Sequence, residues 1–548
     1  MAESGERTTD FDVAIIGGGP GGATLGGLLA IDGYRVLIVE KDIHPRDHVG
    51  ESMVPANNFI MNRLGFLPKM EEAGFVHKQG VAWTAPRGPL WNLVCIRTSD
   101  FPPPDAVQTY SYNVERDLFD TLLLRHAHEK GVKVLQGVKV KQVLMDGDRA
   151  VGLRIEPVEG VEQDVTAKVV VDASGRRCLL SKQLNVHRVK DAELNQHSIW
   201  SWFKGAEDAP PGYEGMVIFH FLDLERAWGW QIPLRGGISS IGVVTAKEDF
   251  QKSGKTPEEF FAGLIGRSRT FKHAMRDAER VRPWVIEGDY SYQMERVVGP
   301  GWLLVGDAMR FVDPIFSSGM DVAMYSASYA HKAIVDSWNG TDEDVAFEEY
   351  AKTVTDGVDV WYETTDIFYK LQAICGRYAM DPRYREDIAR SLQGNPYAIV
   401  NRDRSRRLLA DMRKTYEQVM TDPNNLMRPG ALLQSLEAPD GEVAQSTGNG
   451  QPVIPNSQPE EGADMPAGIA AKVLEFMKSE LLPPETASTL KADTPLLDGL
   501  LDSFALMQLT TFIEDQYDIV VDPEDMSAEH FLNVQRIEQL VNEKTAAA

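Results

Sequence analysis

Three closely spaced glycines near the start of the chain could bind the diphosphate of a dinucleotide. Gly17, Gly19 and Gly22 form a GxGxxG pattern in IIGGGPGGA, between an apolar β-branched run and a helical stretch. Glycine lets the backbone turn tightly and approach a diphosphate at the positive end of the helix. Glu40 ends the next apolar run, VLIVE, where a carboxylate can accept hydrogen bonds from ribose hydroxyls. We therefore predict a dinucleotide site, against the alternative of a glycine turn without a ligand.

Two later segments indicate which dinucleotide binds. Asp172 lies in DASGR after the run KVVV, and Gly306 and Asp307 follow another apolar run in GWLLVGDAMRFVDP. Together with Arg116 in NVERDLFDTLL, they resemble the pattern of the FAD-dependent monooxygenase superfamily, of the p-hydroxybenzoate hydroxylase type. The resemblance implies a Rossmann-like α/β body that binds FAD through these residues, with Asp307 on the ribityl chain. A simple helix cap is the alternative role for Asp307.

A tryptophan-rich segment narrows the resemblance. Trp228, Trp230 and Pro233 lie in AWGWQIP, which resembles the GWxWxIP motif of the flavin-dependent halogenases. In that family the tryptophans separate the flavin from the substrate. Ala227 replaces the leading glycine of the motif. Buried aromatic residues of an ordinary strand are the alternative explanation.

The segment FVDPIFSSG (311–319) resembles the halogenase pattern FxxPxxSxG. The resemblance implies that Ser317 contacts the flavin and that backbone N–H groups at Ser318 and Gly319 hold a chloride or bromide ion. Convergent backbone donors suit such an anion, although a plain glycine turn is the alternative. Phe316 stands where tryptophan halogenases have a glutamate, which favours a phenol, pyrrole or carrier-tethered acyl substrate.

Lys78 in GFVHKQGVAW is the residue that we predict to be catalytic. The halogenases have their essential lysine in this region, after a GES segment that is residues 50–52 here. The resemblance implies that reduced FAD, O2 and halide give hypohalous acid, which the lysine amine binds or converts to a haloamine. Desolvation would lower the pKa of the amine and favour its reactive neutral form. Most lysines are solvated surface charges, so this prediction depends on the neighbouring motifs.

The elements that must position these residues form one mixed α/β body over 11–380. The runs FDVAII, YRVLIVE and KVVVDAS predict strands of the FAD-binding sheet, and GMVIFHFL and SIGVVTA predict a substrate-side β-sheet. Residues 1–10 are predicted to be disordered, and 381–436 to form a helical C-terminal part of the body.

The composition then changes. Residues 437–466 contain five prolines, four glycines and no Lys, Arg or aromatic residue, which predicts a flexible linker. Residues 467–548 recover helical apolar spacing and carry 15 acidic and 5 basic side chains. We predict a separate, small, all-α four-helix domain there.

Ser503 follows Asp502 at the start of an apolar-periodic helix in this C-terminal segment. The segment resembles acyl and peptidyl carrier proteins, in which the serine of a D-S-L sequence carries 4′-phosphopantetheine. A helix N-cap is the alternative role for the serine. The resemblance implies a phosphopantetheinyl transferase, an acyl-loading enzyme and a downstream nonribosomal peptide or polyketide synthase as partners. Delivery of the substrate within the same chain or to another enzyme stays open.

Composition excludes several other functions. The 548 residues are 43% hydrophobic and carry a formal net charge of −25, which argues against nucleic-acid binding. Three widely spaced cysteines support neither a disulfide framework nor a metal site. No apolar run suits a membrane span and no secretory signal is evident, so a cytoplasmic protein is expected.

Three hypotheses follow. The first is an FADH2-dependent halogenase that acts on a carrier-tethered, electron-rich acyl group. It would receive reduced flavin from a separate flavin reductase, because no second dinucleotide fingerprint is found. The second is a flavin oxygenase or desaturase built on the same framework, for which Ala227 and the Met320–Asp321 pair leave room. The third is a non-catalytic scaffold that presents the carrier.

Overall fold

A computed structural model describes residues 9–103, 106–190, 194–222, 224, 226–288, 291–428 and 468–547. The predicted linker at 437–466 and most of the predicted N-terminal tail lie outside these ranges. Within the described ranges, no helix is long and apolar enough to cross a membrane.

The glycine motif belongs to a sheet built mainly on parallel strands. Its strands are β1 (Phe11–Ile16), β2 (Val36–Glu40), β7 (Lys133–Gln136), β8 (Lys139–Asp146), β9 (Arg149–Val158), β10 (Val161–Asp172), β19 (Val298–Gly299) and β20 (Trp302–Leu304). The order is β19-β20-β10-β1-β2-β7, with β8 and β9 paired antiparallel beside β10. β1 and β2 are apolar and buried along nearly their whole length, as in covered parallel sheets. The carboxyl ends of β1, β2, β10 and β20 therefore meet at one edge.

The predicted substrate-side sheet is the second large unit. Its strands are β4 (Gly80–Thr84), β5 (Leu93–Arg97), β12 (Gln196–Lys204), β13 (Val217–Phe221), β14 (Trp228–Leu234), β15 (Ile238–Ala246), β16 (Glu279–Arg280) and β17 (Val285–Gly288). The order is β16-β12-β15-β14-β13-β4-β5, and β17 also pairs with β12. Two small sheets complete the strands: β3 (Val76–Lys78) with β6 (Ser111–Asn113), and β11 (Arg188–Lys190), β18 (Tyr292–Met294) and β21 (Arg310–Phe311).

Helices surround the sheets and dominate the later part of the body. The helices of the body are α1 (Pro20–Ile31), α2 (Asn57–Leu64), α3 (Leu67–Ala73), α4 (Arg116–Glu129), α5 (Leu179–Gln183), α6 (Lys247–Ser253), α7 (Pro257–Ile265), α8 (Arg269–Ala274), α9 (Ser318–Trp338), α10 (Glu343–Lys370), α11 (Gln372–Met380), α12 (Pro382–Leu392) and α13 (Ile399–Thr421). α1 contacts α4 and α9, and α10 contacts α9 and α13. The helical C-terminal part predicted for 381–436 contains α12 and α13.

The C-terminal segment is helical, as predicted. Its helices are α14 (Ile469–Phe476), α15 (Pro484–Ala487), α16 (Ser503–Tyr517) and α17 (Val534–Ala547). The Asp502 side chain accepts hydrogen bonds from the backbone N–H groups of Phe504 at 3.1 Å and Ala505 at 2.8 Å. Asp502 is therefore the N-cap, and Ser503 is the first residue of α16. The N-cap alternative for Ser503 is wrong.

The C-terminal segment packs against the body, and its independence as a separate domain stays a prediction. α16 contacts α11 of the body, and Leu506 and Ile513 share one buried apolar cluster with Phe368 and Leu409. The physical reason is that the apolar faces of α11 and α13 are covered by this contact. Of the four helices, α15 has only four residues. The domain boundaries at 380 and 436 stay predictions.

Candidate active site

The glycine motif joins the end of β1 to the start of α1. Gly17 has a φ of +106°, and a Cβ there would lie 2.4 Å from the carbonyl oxygen of Ala173. A Cβ on Gly22 would lie 2.0 Å from the carbonyl oxygen of Gly17. The fold itself therefore requires these two glycines. A Cβ on Gly19 would meet only Arg46 Nη2, at 3.5 Å, so this face of the helix N-terminus is open to a ligand.

Arg46 is a functional candidate that was not predicted from the sequence. Its Nε atom is buried and, among the described residues, has no hydrogen-bond partner. The N-cap of α1 is Gly19, so within the described part of the chain its N-cap residue supplies no side-chain hydrogen bond to the first turn. Its Nη2 lies 3.7 Å from Asp120 Oδ2, so the Nε of Arg46 is the group left to bind a ligand. A guanidinium group with a free donor beside an open helix N-terminus fits the diphosphate of FAD. The sequence shows a basic residue in the loop after β2, but the direction of its side chain depends on the fold.

Glu40 ends β2 directly below the glycine turn. Its Oε2 accepts a hydrogen bond from Gly18 N–H at 2.7 Å, and its Oε1 accepts one from Asp42 N–H at 2.9 Å. These bonds hold the carboxylate in place. Each oxygen retains a second lone pair, so Glu40 fits the predicted contact with ribose hydroxyls.

Asp172 does not fit its predicted role in cofactor binding. Its side chain is fully buried, with Oδ1 accepting from Ser174 N–H at 2.9 Å and Oδ2 from Leu180 N–H at 2.7 Å. The carboxylate thus closes the DASGR turn onto α5. It shapes the backbone beside Gly17 instead of facing a ligand.

Gly306 and Asp307 follow β20 at the same edge of the sheet. Gly306 has a φ of +63° and donates its N–H to Ser326 Oγ at 2.9 Å. Burial raises the pKa of Asp307 to about 6, while Arg176 and Arg116 oppose that shift. Among the described residues, none forms a hydrogen bond with the Asp307 carboxylate. That carboxylate can therefore accept hydrogen bonds from ribityl hydroxyls.

Arg116 opens α4 and is almost completely buried. Its Nε and Nη2 donate to the two Asp120 oxygens at 2.8 and 3.0 Å, and its Nη1 donates to the Val49 carbonyl at 2.5 Å. Arg116 therefore fixes the loop that leads into the GES segment. Its proximity to Asp307 is consistent with a place at the edge of the cofactor site.

Three separate motifs meet at Lys78, the last residue of β3. Lys78 Nζ donates to Ser52 Oγ at 2.9 Å and to the Met53 carbonyl at 3.0 Å. Ser317 Oγ, from the FVDPIFSSG segment, donates to Ser52 Oγ at 3.1 Å. Lys78 is only 3% exposed, and burial lowers the pKa of its amine to about 7. The amine is therefore neutral in a large fraction of molecules at physiological pH, as a nucleophile requires.

The tryptophan motif is connected to the same segment by a buried hydrogen-bond relay. Trp228 Nε1–H donates to the Tyr369 hydroxyl at 2.8 Å, and that hydroxyl donates to both Asp313 oxygens at 3.2 Å. Asp313 Oδ1 also accepts from Ile315 N–H at 3.1 Å. Tyr369 and Asp313 were not predicted from the sequence, because their roles depend on contacts between residues distant in sequence.

Trp230 and Pro233 lie on the same strand, β14. Trp230 is buried, and its Nε1–H donates to Ser240 Oγ at 3.3 Å. The Trp228 and Trp230 ring centroids are 5.8 Å apart. Pro233 is half-buried near the end of the strand. The two rings form a continuous aromatic wall, and the partition between flavin and substrate stays a prediction.

The predicted halide site lies at the beginning of α9. Ser317 has a φ of +57°, and Ser318 and Gly319 are the first two residues of the helix. In the described structure the side chain of the N-cap residue, Ser317, does not cap this turn. Its backbone N–H groups lack partners within the helix and can hold an anion.

The chain is similar to known flavoproteins over most of its length. The model of the FAD binding domain family matches residues 10–358. Over 455 residues the chain is 38% identical to the 1H-pyrrole-2-carbonyl-[peptidyl-carrier protein] chlorinase of Pseudomonas fluorescens, a match that covers 79% of this chain and 99% of that protein. The chain belongs to the flavin-dependent halogenases.

Two further relatives support the assignment. This halogenase is 33% identical over 389 residues to the 1H-pyrrole-2-carbonyl-[peptidyl-carrier protein] brominase of Pseudoalteromonas luteoviolacea, covering 70% of this chain and 92% of that one. The solved structure of the flavin-dependent brominase Bmp2 has 30% identity and a TM-score of 0.67, covering 74% of this chain and 99% of that one. Membership in an oxidoreductase family argues against a purely non-catalytic scaffold. About a fifth of this chain lies outside the match with the chlorinase.

Lys78 opens onto a pocket that we call the inner pocket. Its space, including the open mouth, is about 330 Å³, and its lining includes Ser317, Phe219, Trp83 and Phe316. An aromatic wall with one amine suits an electron-rich ring held beside a halogen donor.

Asp321, which had no assigned role, is a structural residue. Its Oδ2 accepts a hydrogen bond from Trp361 Nε1–H at 3.0 Å, and the side chain is fully buried. It therefore ties α9 to α10. The residue no longer provides an argument for an oxygenase or desaturase.

We expect Asp313→Asn to stabilise the protein at pH 8 but not at pH 4. Burial raises the pKa of Asp313 from 3.8 to about 7. Between these values the folded state binds more protons than the unfolded state, so the wild type loses stability as the pH rises. Asparagine cannot ionise and keeps the acceptor for Tyr369, which predicts a gain of about 2 kcal/mol at pH 8. Urea unfolding of the wild type and the variant at pH 4 and pH 8 measures this gain. An equal difference in stability at the two pH values would contradict the raised pKa of Asp313.

Proposed function

We propose that this halogenase installs chlorine or bromine on an electron-rich aromatic acyl group, carried as a phosphopantetheine thioester on Ser503. The observation that carries the proposal is the hydrogen-bonded cluster of Lys78, Ser52 and Ser317, of which Lys78 and Ser317 line one aromatic-walled pocket. The printed names of two relatives, a chlorinase and a brominase of pyrrole-2-carbonyl carrier proteins, support the substrate class.

The cofactor site is proposed to hold FAD between Gly19 and Arg46 on the diphosphate side, Glu40 at the ribose and Asp307 at the ribityl chain. Bound and reduced, FAD would supply hypohalous acid from O2 and a halide ion. The backbone N–H groups of Ser318 and Gly319 would hold the halide at the beginning of α9.

Lys78 is proposed to transfer the halogen. Its neutral amine takes the halogen from hypohalous acid with release of water, so that an N–halogen bond forms. The ring then takes the halogen from the nitrogen, and the proton that leaves the ring returns to the amine. Ser52 and the Met53 carbonyl fix the direction of the amine through their hydrogen bonds. Trp228 and Trp230 would keep water and substrate away from the cofactor side.

The proposal includes partners and a division of the chain. A separate flavin reductase, a phosphopantetheinyl transferase, an acyl-loading enzyme and a downstream synthase would cooperate with this protein. Residues 11–436 would be the halogenase body and 467–548 the carrier domain. The relatives named for carrier-protein substrates make a carrier partner plausible.

Intact-protein mass spectrometry tests the proposal. The full chain is phosphopantetheinylated, loaded with a pyrrole-2-carbonyl group and given FAD, a flavin reductase, NADH, O2 and chloride or bromide. We expect the carrier-bound mass to gain halogen in place of hydrogen. Ser503→Ala should accept no phosphopantetheine. A gain of oxygen or a loss of two hydrogens would instead support the oxygenase or desaturase alternative, and a wild-type chain without an adduct would contradict the carrier assignment.

A further inference from the structure

The C-terminal helices are joined to the body by specific polar contacts. Arg377 on α11 is buried, and its Nη2 donates to Glu514 Oε1 at 3.3 Å and to the Val521 carbonyl. Asn92 and Gln508 exchange hydrogen bonds through their side-chain amides, at 3.1 and 3.2 Å. A buried ion pair and a reciprocal amide pair define one orientation of the two surfaces, since both depend on direction.

The N-terminus of α16 is fixed at the same interface. The backbone N–H of Arg87 donates to Asp502 Oδ2 at 3.1 Å, while Asp502 Oδ1 caps α16. Asp502 is 8% exposed, whereas the neighbouring Ser503 is half-buried. The body therefore positions the residue that precedes Ser503 and leaves the serine partly accessible.

A second cavity lies where α16 meets the body, and we call it the outer cavity. Phe504, the residue after Ser503, is part of its wall, and the Phe504 and Phe221 ring centroids are 5.9 Å apart. Its space, including its open mouth, is about 650 Å³. Trp83, Phe316 and Leu392 line both this cavity and the inner pocket. The two spaces are therefore neighbours that share a wall, one beside the serine helix and one at Lys78.

The chemistry of the outer cavity favours a neutral occupant. Its described lining side chains are apolar or aromatic apart from Cys375 and three hydroxyl residues, and none is charged. A free aromatic acid would have to bury its carboxylate there without a partner, which is costly. A thioester has no charge and meets no such penalty.

We infer that the C-terminal domain delivers its own acyl group in cis. The phosphopantetheine arm on Ser503 enters the outer cavity beside Phe504, and the tethered ring passes Phe316 to reach Lys78. The inference rests on the proposed function. It adds that Ser503, which carries the acyl group, and Lys78, which halogenates it, belong to the same chain.

Concentration dependence tests the inference in the full-length protein. The wild-type chain is loaded with one pyrrole-2-carbonyl group and supplied with FAD, a flavin reductase, NADH, O2 and halide. Halogenation of this single acyl group is followed over time. We expect a rate constant that stays the same across a 100-fold dilution, because tethering supplies an effective concentration of about 1 mM. A mixture of loaded Lys78→Ala chain with Ser503→Ala chain permits only transfer between chains. At about 1 μM that mixture should react roughly 1,000-fold more slowly.

The outcomes separate the two proposals. A mixture as fast as the wild type, or a wild-type rate proportional to protein concentration, would overturn delivery in cis and leave the carrier halogenase intact. Absence of halogenation in both samples would instead overturn the proposed function.

A charge exchange tests the observed interface. Arg377→Glu should lower the single-turnover rate of the loaded chain about tenfold or more, since it places two carboxylates together. The double variant with Glu514→Arg should recover most of that loss, which a misfolded protein would not. Arg413→Glu, which removes the Arg413–Glu363 pair within the body, is the matched control and should change little. An unchanged rate in Arg377→Glu would overturn the docking geometry.

Discussion

Lys78→Met is expected to abolish halogenation while making the folded protein more stable at neutral pH. Halogenation should fall at least about 1,000-fold, because methionine has no amine to carry the halogen. The stability gain follows from burial, which lowers the pKa of Lys78 from 10.5 to about 7. Between these values the unfolded chain binds more protons than the folded chain, so wild-type stability rises with pH across this window.

The stabilising effect of Lys78→Met should therefore be largest at and below pH 7 and shrink toward pH 10. We expect a gain in the free energy of unfolding of about 2 kcal/mol at pH 7. This value already allows for the hydrogen bonds that Ser52 and Met53 lose with the amine. Urea unfolding at pH 7 and pH 10 measures the stability, and halide incorporation measures the activity. Lys252→Met is the control, since that side chain is 75% exposed and its removal should leave both readouts nearly unchanged. Substantial halogenation by Lys78→Met would remove the lysine from the mechanism.

The wild-type rate should also depend on pH through the same amine. Halogenation requires the neutral form, so the rate should rise as the pH passes about 7 and then level off. A rate that falls across this range would indicate that the protonated form acts instead.

Gly22→Ala is expected to lower the stability of the protein, and Gly19→Ala to lower its affinity for FAD. A Cβ at Gly22 would lie 2.0 Å from the Gly17 carbonyl oxygen, and neither backbone can move without disturbing the sheet edge. We expect a loss of about 3 kcal/mol or more, with poor yield of folded protein. Thermal unfolding measures it, and an unfolding midpoint equal to that of the wild type would contradict the close contact.

Gly19→Ala should fold and lose flavin affinity instead. Gly19 has a φ of −72°, which alanine adopts readily, and its Cβ would meet only Arg46 Nη2. The cost in stability should stay within about 1 kcal/mol. The added methyl group would occupy the space of the diphosphate, so FAD affinity should fall at least tenfold, about 1.4 kcal/mol. Titration of the folded variant with FAD decides this, and unchanged affinity would move the diphosphate away from Gly19.

Local sequence determined the parts of this protein that depend on short-range geometry. Gly17 and Gly22 were recognisable because only glycine tolerates a positive φ or such close backbone contact. The apolar runs that became β1 and β2 have the composition of buried parallel strands. The start of a helix near Ser503 was predicted from its apolar periodicity, with the serine as a possible N-cap, whereas Asp502 forms the cap.

Tertiary structure alone decided which side chains meet. Tyr369 joins Trp228, which is 141 positions away, to Asp313, which is 56 positions away, and no short sequence pattern records such contacts. Arg46 became a candidate only when its Nε proved to be buried without a partner among the described residues. Asp172 has the expected sequence context, yet its oxygens turn toward backbone N–H groups of its own loop.

For the C-terminal segment, too, the sequence predicts the helices but not the surface against which they pack. Its helices were predictable because apolar residues recur at helical spacing within a few turns. Its contact with the body was not, since the Arg377–Glu514 pair and the contact of Phe504 with Phe221 join residues 137 or more positions apart. Periodicity reveals that a face is apolar, but the surface that covers it is selected by shape and charge over the whole folded chain.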